Sequence, residues 1–185
     1  MKAGVLALQG DFREHGAVLA GLGTAPIEVR SPEDLSRVDA LVIPGGESTT
    51  IGKLATSAGL VEPIRERAAG GMPILGTCAG MIVMARRVDG GEPLLGVIDI
   101  RVERNAYGRQ VDSFESDVAV DGIDRPVRGV FIRAPVVRET GDDVRVLARH
   151  EGTPVVLEQG ALVVASFHPE LVGEPGLHEY VLSKL

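Results

Sequence analysis

The chain has 185 residues, with 19 basic against 26 acidic side chains for a net charge of −7, and only 3% of its residues are aromatic. That balance lacks the basic footprint and stacking platforms of a nucleic-acid binder, and a single cysteine excludes a disulfide-stapled module. Size scaling has a chain of this length burying about 70% of its surface on folding, a core sufficient for one domain over 1–185 without a structural metal. The 24 glycines follow no G-x-y repeat, so they are assigned to turns and close backbone approaches. Met1-Lys2 leads directly into a strand-like run, without the ordered regions of a signal peptide. The uncharged window 68–85 contains Gly70, Gly71, Pro73, Gly76 and Gly80, which suits a strand turning into a helix better than a membrane span. The expectation is a soluble, cytoplasmic protein with no membrane contact.

Ala3 to Leu8 is a continuous apolar run of the kind found in a parallel strand covered on both faces. Asp11 and Glu14 have capping-box spacing and open a helix ending near Gly21-Gly23. Ile27 to Val29 reads as a short strand, Ser31-Pro32 as a cap and first helical turn, and Ala40 to Ile43 as a third strand closed by Pro44-Gly45-Gly46. A helix with Ile51, Leu54 and Ala55 on one face follows, then a second from about Leu60 to Ala69. Pro73 to Leu75 is a fourth strand and Met81 to Arg87 resumes as helix. From Gly96 onward the pattern changes: Val97 to Val102 alternates, and strand candidates lie at 115–120, 128–132, 144–149, 153–158 and 161–167. A final helix spans about Gly176 to Leu185. This rhythm predicts a three-layer α/β fold, its sheet mainly parallel with additional antiparallel strands.

The lone cysteine lies in Gly76-Thr77-Cys78-Ala79-Gly80, where a buried strand turns into a helix. Gly-x-Cys-x-Gly has the form of a nucleophile elbow with cysteine in the serine position. Gly76 and Gly80 let strand and helix approach while Cys78 takes a cramped geometry. The helix start favours a thiolate, and the Ala79 N–H is placed as an oxyanion donor. A free cysteine is commonly only a small buried hydrophobe, so the partner decides. Val163 to Phe167 is an apolar strand followed by His168-Pro169-Glu170. In a parallel sheet the carboxyl ends of strands share one edge, so His168 can serve Cys78 as base and Glu170 can orient the imidazole. At the same edge the Gly45-Gly46 turn offers Gly46 N–H as a second oxyanion donor, and Glu47 or Ser48 can meet a polar substrate. The same stretch also reads as a helix-capping turn with Ser48 or Thr49 as the cap. Arg104 and Arg133 stand near strand ends and can pair with a substrate carboxylate. His15, His150 and His178 make no metal-ligand spacing with Cys78, and no nucleotide-binding glycine motif is present. No metal and no cofactor are expected, since acyl transfer by a thiolate requires neither.

Gly76 to Gly80 together with Phe167-His168-Pro169-Glu170 resembles the class I, triad-type glutamine amidotransferases. Gly4 to Gly10, Arg13-Glu14-His15, Pro44 to Thr50 and Ala165 to Glu170 narrow the resemblance to the glutaminase subunits of pyridoxal 5'-phosphate synthase, over essentially the whole chain. The resemblance implies that Cys78, His168 and Glu170 hydrolyse the L-glutamine side-chain amide through a thioester. It assigns glutamine binding to Gly46, Glu47, Ser48, Arg104, Ile132 and Arg133. It further implies transfer of ammonia to a synthase subunit with a (β/α)8 barrel, in an assembly of twelve plus twelve subunits, with little activity before docking. The residues by themselves leave two alternatives open, a cysteine-dependent hydrolase or stress protein of similar fold, and a non-catalytic binding or regulatory subunit.

Overall fold

A computed structural model describes residues 2–104 and 113–185. Five short apolar segments, β1 (Ala3–Leu6), β2 (Ile27–Val29), β3 (Ala40–Ile43), β4 (Ile74–Thr77) and β12 (Leu162–Ala165), pair in parallel in the order β2-β1-β3-β4-β12. β11 (Thr153–Gln159) and β10 (Arg145–His150) extend the sheet antiparallel beyond β12. Four of the five parallel strands are buried throughout, as expected where helices cover both faces. One face carries α1 (Phe12–Gly21) and α6 (Gly176–Leu182) around Leu19, Leu75, Phe167, Leu177 and Val181. The other carries α2 (Pro32–Ser36), α3 (Ser48–Ser57), α4 (Val61–Ala69) and α5 (Ala79–Met84) around Leu41, Ile43, Ile51, Ile64, Ile74 and Met81. The mixed sheet and three-layer arrangement agree with the α/β expectation. Among the described residues no helix is long and apolar enough to cross a membrane, and the window 68–85 holds β4 and α5.

Two smaller sheets are appended. β5 (Ala85–Asp89), β6 (Ile98–Glu103) and β9 (Val136–Thr140) form one, and the hairpin β7 (Phe114–Val118) with β8 (Val127–Phe131) forms the other. Here the sequence reading needs correction. The helix expected through Arg87 stops at Met84, and 85–89 runs extended as β5, parallel to β6. The exposed Arg86 and Arg87 then reach Asp99 and Glu139 on the neighbouring strands, a cross-strand charge pattern that favours a sheet. Strand β9 lies outside the strand pattern of the sequence, because its last three residues, Arg138, Glu139 and Thr140, are exposed and dilute the alternation. Leu54, expected on the buried face of α3, is 39% exposed, while Ile51 and Ala55 are buried.

The close strand-helix approach inferred at the elbow is present. A Cβ on Gly76 would sit 2.9 Å from the Gly80 carbonyl carbon, and one on Gly80 would strike the Ile43 carbonyl on β3. Backbone cannot retreat from such a contact as a flexible side chain can. Gly80→Ala is therefore expected to cost about 3 kcal/mol, lowering Tm by about 6–12 °C for a domain of this size. Thermal unfolding of the variant checks this, and an unchanged Tm would contradict the packing.

Candidate active site

Four consecutive strands of the sheet, β1, β3, β4 and β12, end on one edge, and each supplies a loop to a cleft of about 460 Å³. Gln9 and Asp11 follow β1, Gly46, Glu47 and Ser48 follow β3, Cys78 and Ala79 follow β4, and His168 follows β12. Arg104, Ile132 and Arg133 close the far side. The structure thus brings together every residue singled out from the sequence except Glu170, which lies behind His168 and is buried. A larger groove of about 700 Å³ runs alongside and shares Ser48 and Arg104, but contains neither the cysteine nor the histidine.

Parallel pairing of Thr77 with Ala165 sets Cys78 beside the β12 terminus, and Cys78 N–H donates to the Ala165 carbonyl at 2.8 Å. Cys78 has φ 48° and ψ −104°, a left-handed geometry that costs a non-glycine residue about 1–3 kcal/mol and clusters at functional sites. Its Sγ is 4.0 Å from the Ile132 carbonyl oxygen, and it lines the same cleft as His168. Arg133, also at the cleft, has φ 45°. His168 is fixed through its backbone, exchanging N–H to carbonyl bonds of 2.9 and 3.2 Å with Val130 on β8. Below that bridge the Phe167 ring lies over Gly129, where any Cβ would collide with it.

The His168 imidazole has two carboxylates on one nitrogen. Nδ1 is 2.8 Å from Glu170 Oε1 and 3.3 Å from Asp11 Oδ2. Burial works against a charged ring, but Asp11, Cys78 and Glu170 outweigh it and raise the His168 pKa. Burial likewise opposes the Glu170 carboxylate, yet His15 and His168 overcome it and hold its pKa at about 2. Asp11, Glu170 and His168 place ligand atoms within 4.8 Å of one another, but Nδ1 is already committed to Glu170, so the cluster is organised as a charge-assisted hydrogen bond.

Two local expectations change. Asp11 occupies the N-cap position of α1 without capping it, because its side chain turns to His168 instead. The loop after β3 does cap α3, but the cap is Glu47 and not Ser48 or Thr49. Its carboxylate accepts from Thr49 N–H at 3.0 Å, and from Thr50 N–H and Oγ1 at 2.7 Å each. The Glu47 N–H in turn donates to Gln9 Oε1 at 2.7 Å, and Arg104 reaches Glu47 and Thr49 at 3.4 and 3.3 Å. Glu47 therefore shapes the cleft while its carboxylate is occupied.

His15 and His178, which make no metal-ligand spacing with Cys78, both lie against this site. His15 Nε2 is 3.4 Å from Glu170 Oε1 and 3.0 Å from Thr77 Oγ1, and its Nδ1 is 2.8 Å from His178 Nε2. The available signal was their position: each stands among the apolar residues on the inward face of its helix, with Val18 and Leu19 or with Leu177 and Val181.

The Thr50 hydroxyl above all, with the Thr49 and Thr50 amides, holds the Glu47 carboxyl at about 2, below its usual 4.5. Stability from a depressed carboxylate is present above the ordinary pKa and lost as pH falls through the folded one. Urea unfolding of Glu47→Gln is thus expected to show a shallower loss of stability between pH 4.5 and 2 than the wild type. At pH 7, Glu47→Ala is expected to lose about 1 kcal/mol as the cap is removed. Parallel pH slopes for wild type and Glu47→Gln would contradict this.

Residues 5–185 match the model of the SNO glutamine amidotransferase family. Among individual proteins, the chain is 54% identical to the pyridoxal 5'-phosphate synthase subunit PdxT of Pelotomaculum thermopropionicum, covering 100% of this chain and 95% of that one. It is 55% identical to the protein of the same name from Thermus thermophilus, over 97% of this chain and 95% of that one. A crystal structure described as a glutamine amidotransferase superposes with a TM-score of 0.94 at 51% identity, covering 98% and 97% of the two chains. A structure of PurLQS from Thermotoga maritima shares the fold, with a TM-score of 0.72 at 17% identity. With a family model spanning nearly its whole length and full-length relatives above half identity, the chain belongs to the SNO glutamine amidotransferase family.

Proposed function

We propose that this chain is the glutaminase subunit of a pyridoxal 5'-phosphate synthase, and that Cys78, His168 and Glu170 form its catalytic triad. One observation carries the reading: a strained cysteine, a buried histidine and a buried carboxylate meet at one sheet edge, in a chain over half identical along its length to proteins named pyridoxal 5'-phosphate synthase subunit PdxT.

In the proposed reaction Cys78 passes its proton to His168 and Sγ bonds to the side-chain carbonyl carbon of L-glutamine. The resulting oxyanion is met by the N–H groups of Ala79 and Gly46. His168 then gives its proton to the departing nitrogen, the C–N bond breaks, and ammonia leaves a glutamyl thioester. Water, deprotonated by His168, adds to the thioester, and the C–S bond breaks to release glutamate and restore the thiol. Glu170 holds the imidazole and offsets its charge throughout. Arg104, Arg133 and the Ile132 backbone, with Gly46, Glu47 and Ser48, line the cleft in which glutamine would be held. The two arginines suit its α-carboxylate.

Ammonia is consumed by a partner synthase, taken to be a (β/α)8 barrel joining twelve glutaminase to twelve synthase subunits in the cytoplasm. Docking would act on the Gly45-Gly46 peptide. Gly46 has φ 147°, and the Gly45 carbonyl accepts from Asp11 N–H at 3.1 Å. Turning that peptide breaks this bond and re-aims Gly46 N–H.

Glutamate release from L-glutamine is expected to be slow for the chain alone and to rise strongly with the synthase subunit. Cys78→Ala and His168→Ala should each lower it by more than about 10³-fold in the complex. Silence of the wild type in a proven complex would overturn the reading.

A further inference from the structure

Glu170 is buried, and the polar partners it has are imidazoles. Oε1 faces His168 Nδ1 at 2.8 Å and His15 Nε2 at 3.4 Å, while Oε2 has no hydrogen-bond partner among the described residues. His15 is 0% exposed and His178 is 1% exposed. They project from α1 and α6, two helices far apart in sequence that pack on the same face of the sheet. On that face Thr77, two residues beyond Leu75 and so on the same side of β4, turns its hydroxyl to His15 at 3.0 Å. Polar side chains at core positions of two helices cost stability unless they are paired. Here both are paired, and the pair ends on the carboxylate.

The chemistry orients the protons. A carboxylate accepts only, so the His15 nitrogen facing it carries the hydrogen. The His15 Nδ1 faces His178 Nε2 at 2.8 Å, so one of the two nitrogens donates to the other. Burial and the nearby His15 hold His178 far below its usual range, at about 3, so His178 is neutral and contributes one N–H. The His178 Nδ1 makes no well-formed hydrogen bond among the described residues, and the Glu174 backbone lies beside the ring. His178, His15, Glu170 and His168 thus form one continuous line of buried side chains, with successive contacts of 2.8, 3.4 and 2.8 Å.

We infer that His15, braced by His178, is a positioning residue for the triad: it fixes the Glu170 carboxylate, and through it the orientation of the His168 ring. The inference rests on the proposed glutaminase reading for its kinetic consequences, but the geometry it describes does not. Partners that orient a catalytic or metal-binding imidazole typically cost 10–100-fold in function when removed.

Glutamine places its side-chain nitrogen near the Nε2 position of histidine and asparagine near the Nδ1 position. In the complex with the synthase subunit, His15→Gln retains a donor toward Glu170 and is expected to keep kcat within about 3-fold of wild type. His15→Asn retains only the side facing His178 and is expected to lose about 10–100-fold in kcat with KM within about 2-fold. His178→Gln and His178→Leu should repeat the contrast more weakly, and they decide the matter if neither His15 variant folds. The downfield Nδ1–H resonance of His168, recorded by NMR without the partner, should persist in the Gln variants and shift or vanish in His15→Asn. Equal loss in His15→Gln and His15→Asn, a change confined to KM, or wild-type kcat in all variants would each overturn the relay. A wild-type complex that releases no glutamate would overturn the glutaminase reading instead. In that case an unmoved His168 resonance in His15→Asn would separately overturn the positioning role.

Discussion

Everything at this site depends on the parallel pairing of Ile74–Thr77 with Leu162–Ala165. The two strands are separated by more than eighty residues of chain, yet the register that sets Thr77 opposite Ala165 brings Cys78 and His168 onto one edge. A slip of one residue would turn both strands over and send the elbow to the wrong layer. The register is held from both faces, by Leu75 and Val163 in one core and by Ile74 and Val164 in the other. The bond from Cys78 N–H to Ala165 O carries that register one residue past the strand, into a backbone geometry the cysteine would not choose alone. Two cores that cannot both be satisfied in any other register thus sustain a local strain of about 1–3 kcal/mol.

The imidazole is located by a second constraint independent of the first. The isolated bridge between Val130 and His168 ties the loop after β12 to the β7–β8 hairpin, and Phe131 and Phe167 pack with ring centroids 5.1 Å apart beneath it. The appended hairpin therefore has a mechanical part in the site, since it clamps the backbone of His168, the proposed proton carrier. Ile132 and Arg133, which line the cleft, leave the same hairpin, so the position of His168 and the width of the cleft are set by one element.

How much of this was legible in the residues follows from the range of the interactions. The elbow was readable because its causes are local: an apolar strand, two glycines and a cysteine within five residues, with geometry that only glycine permits at Gly76 and Gly80. His-x-Glu was readable because both side chains meet within two residues. The α/β layering was readable from the alternation of short apolar runs with capped helices. What escaped was set at long range. The turn of Asp11 from cap to imidazole partner depends on a residue 157 positions away, and the charges on β5 and β9 meet partners only across strands. His15 and His178 are 163 residues apart, and nothing in either neighbourhood shows that the other is near. Only their occupation of inward helical positions, where an apolar residue would pack better, was visible locally.

That last point bears on why the site has the composition it has. Cys78, His168, Glu170, Thr77, His15 and His178 are all buried, in a protein whose remaining core is largely apolar. Replacing a buried polar network with apolar side chains of similar volume is often neutral or stabilising, so folding alone does not require these six residues. A half-satisfied network, in contrast, costs more than either a complete one or none. Once a carboxylate is buried behind His168 to offset its charge, the carboxylate itself must be met by donors, and water has little access to it. Thr77, His15 and His178 follow from that requirement as successive polar groups, each needing a partner because the previous one is buried. The network extends inward from the sheet edge until it reaches α6, where a histidine held neutral ends it; Glu170 Oε2 and His178 Nδ1 are the atoms of the network left without a hydrogen bond among the described residues.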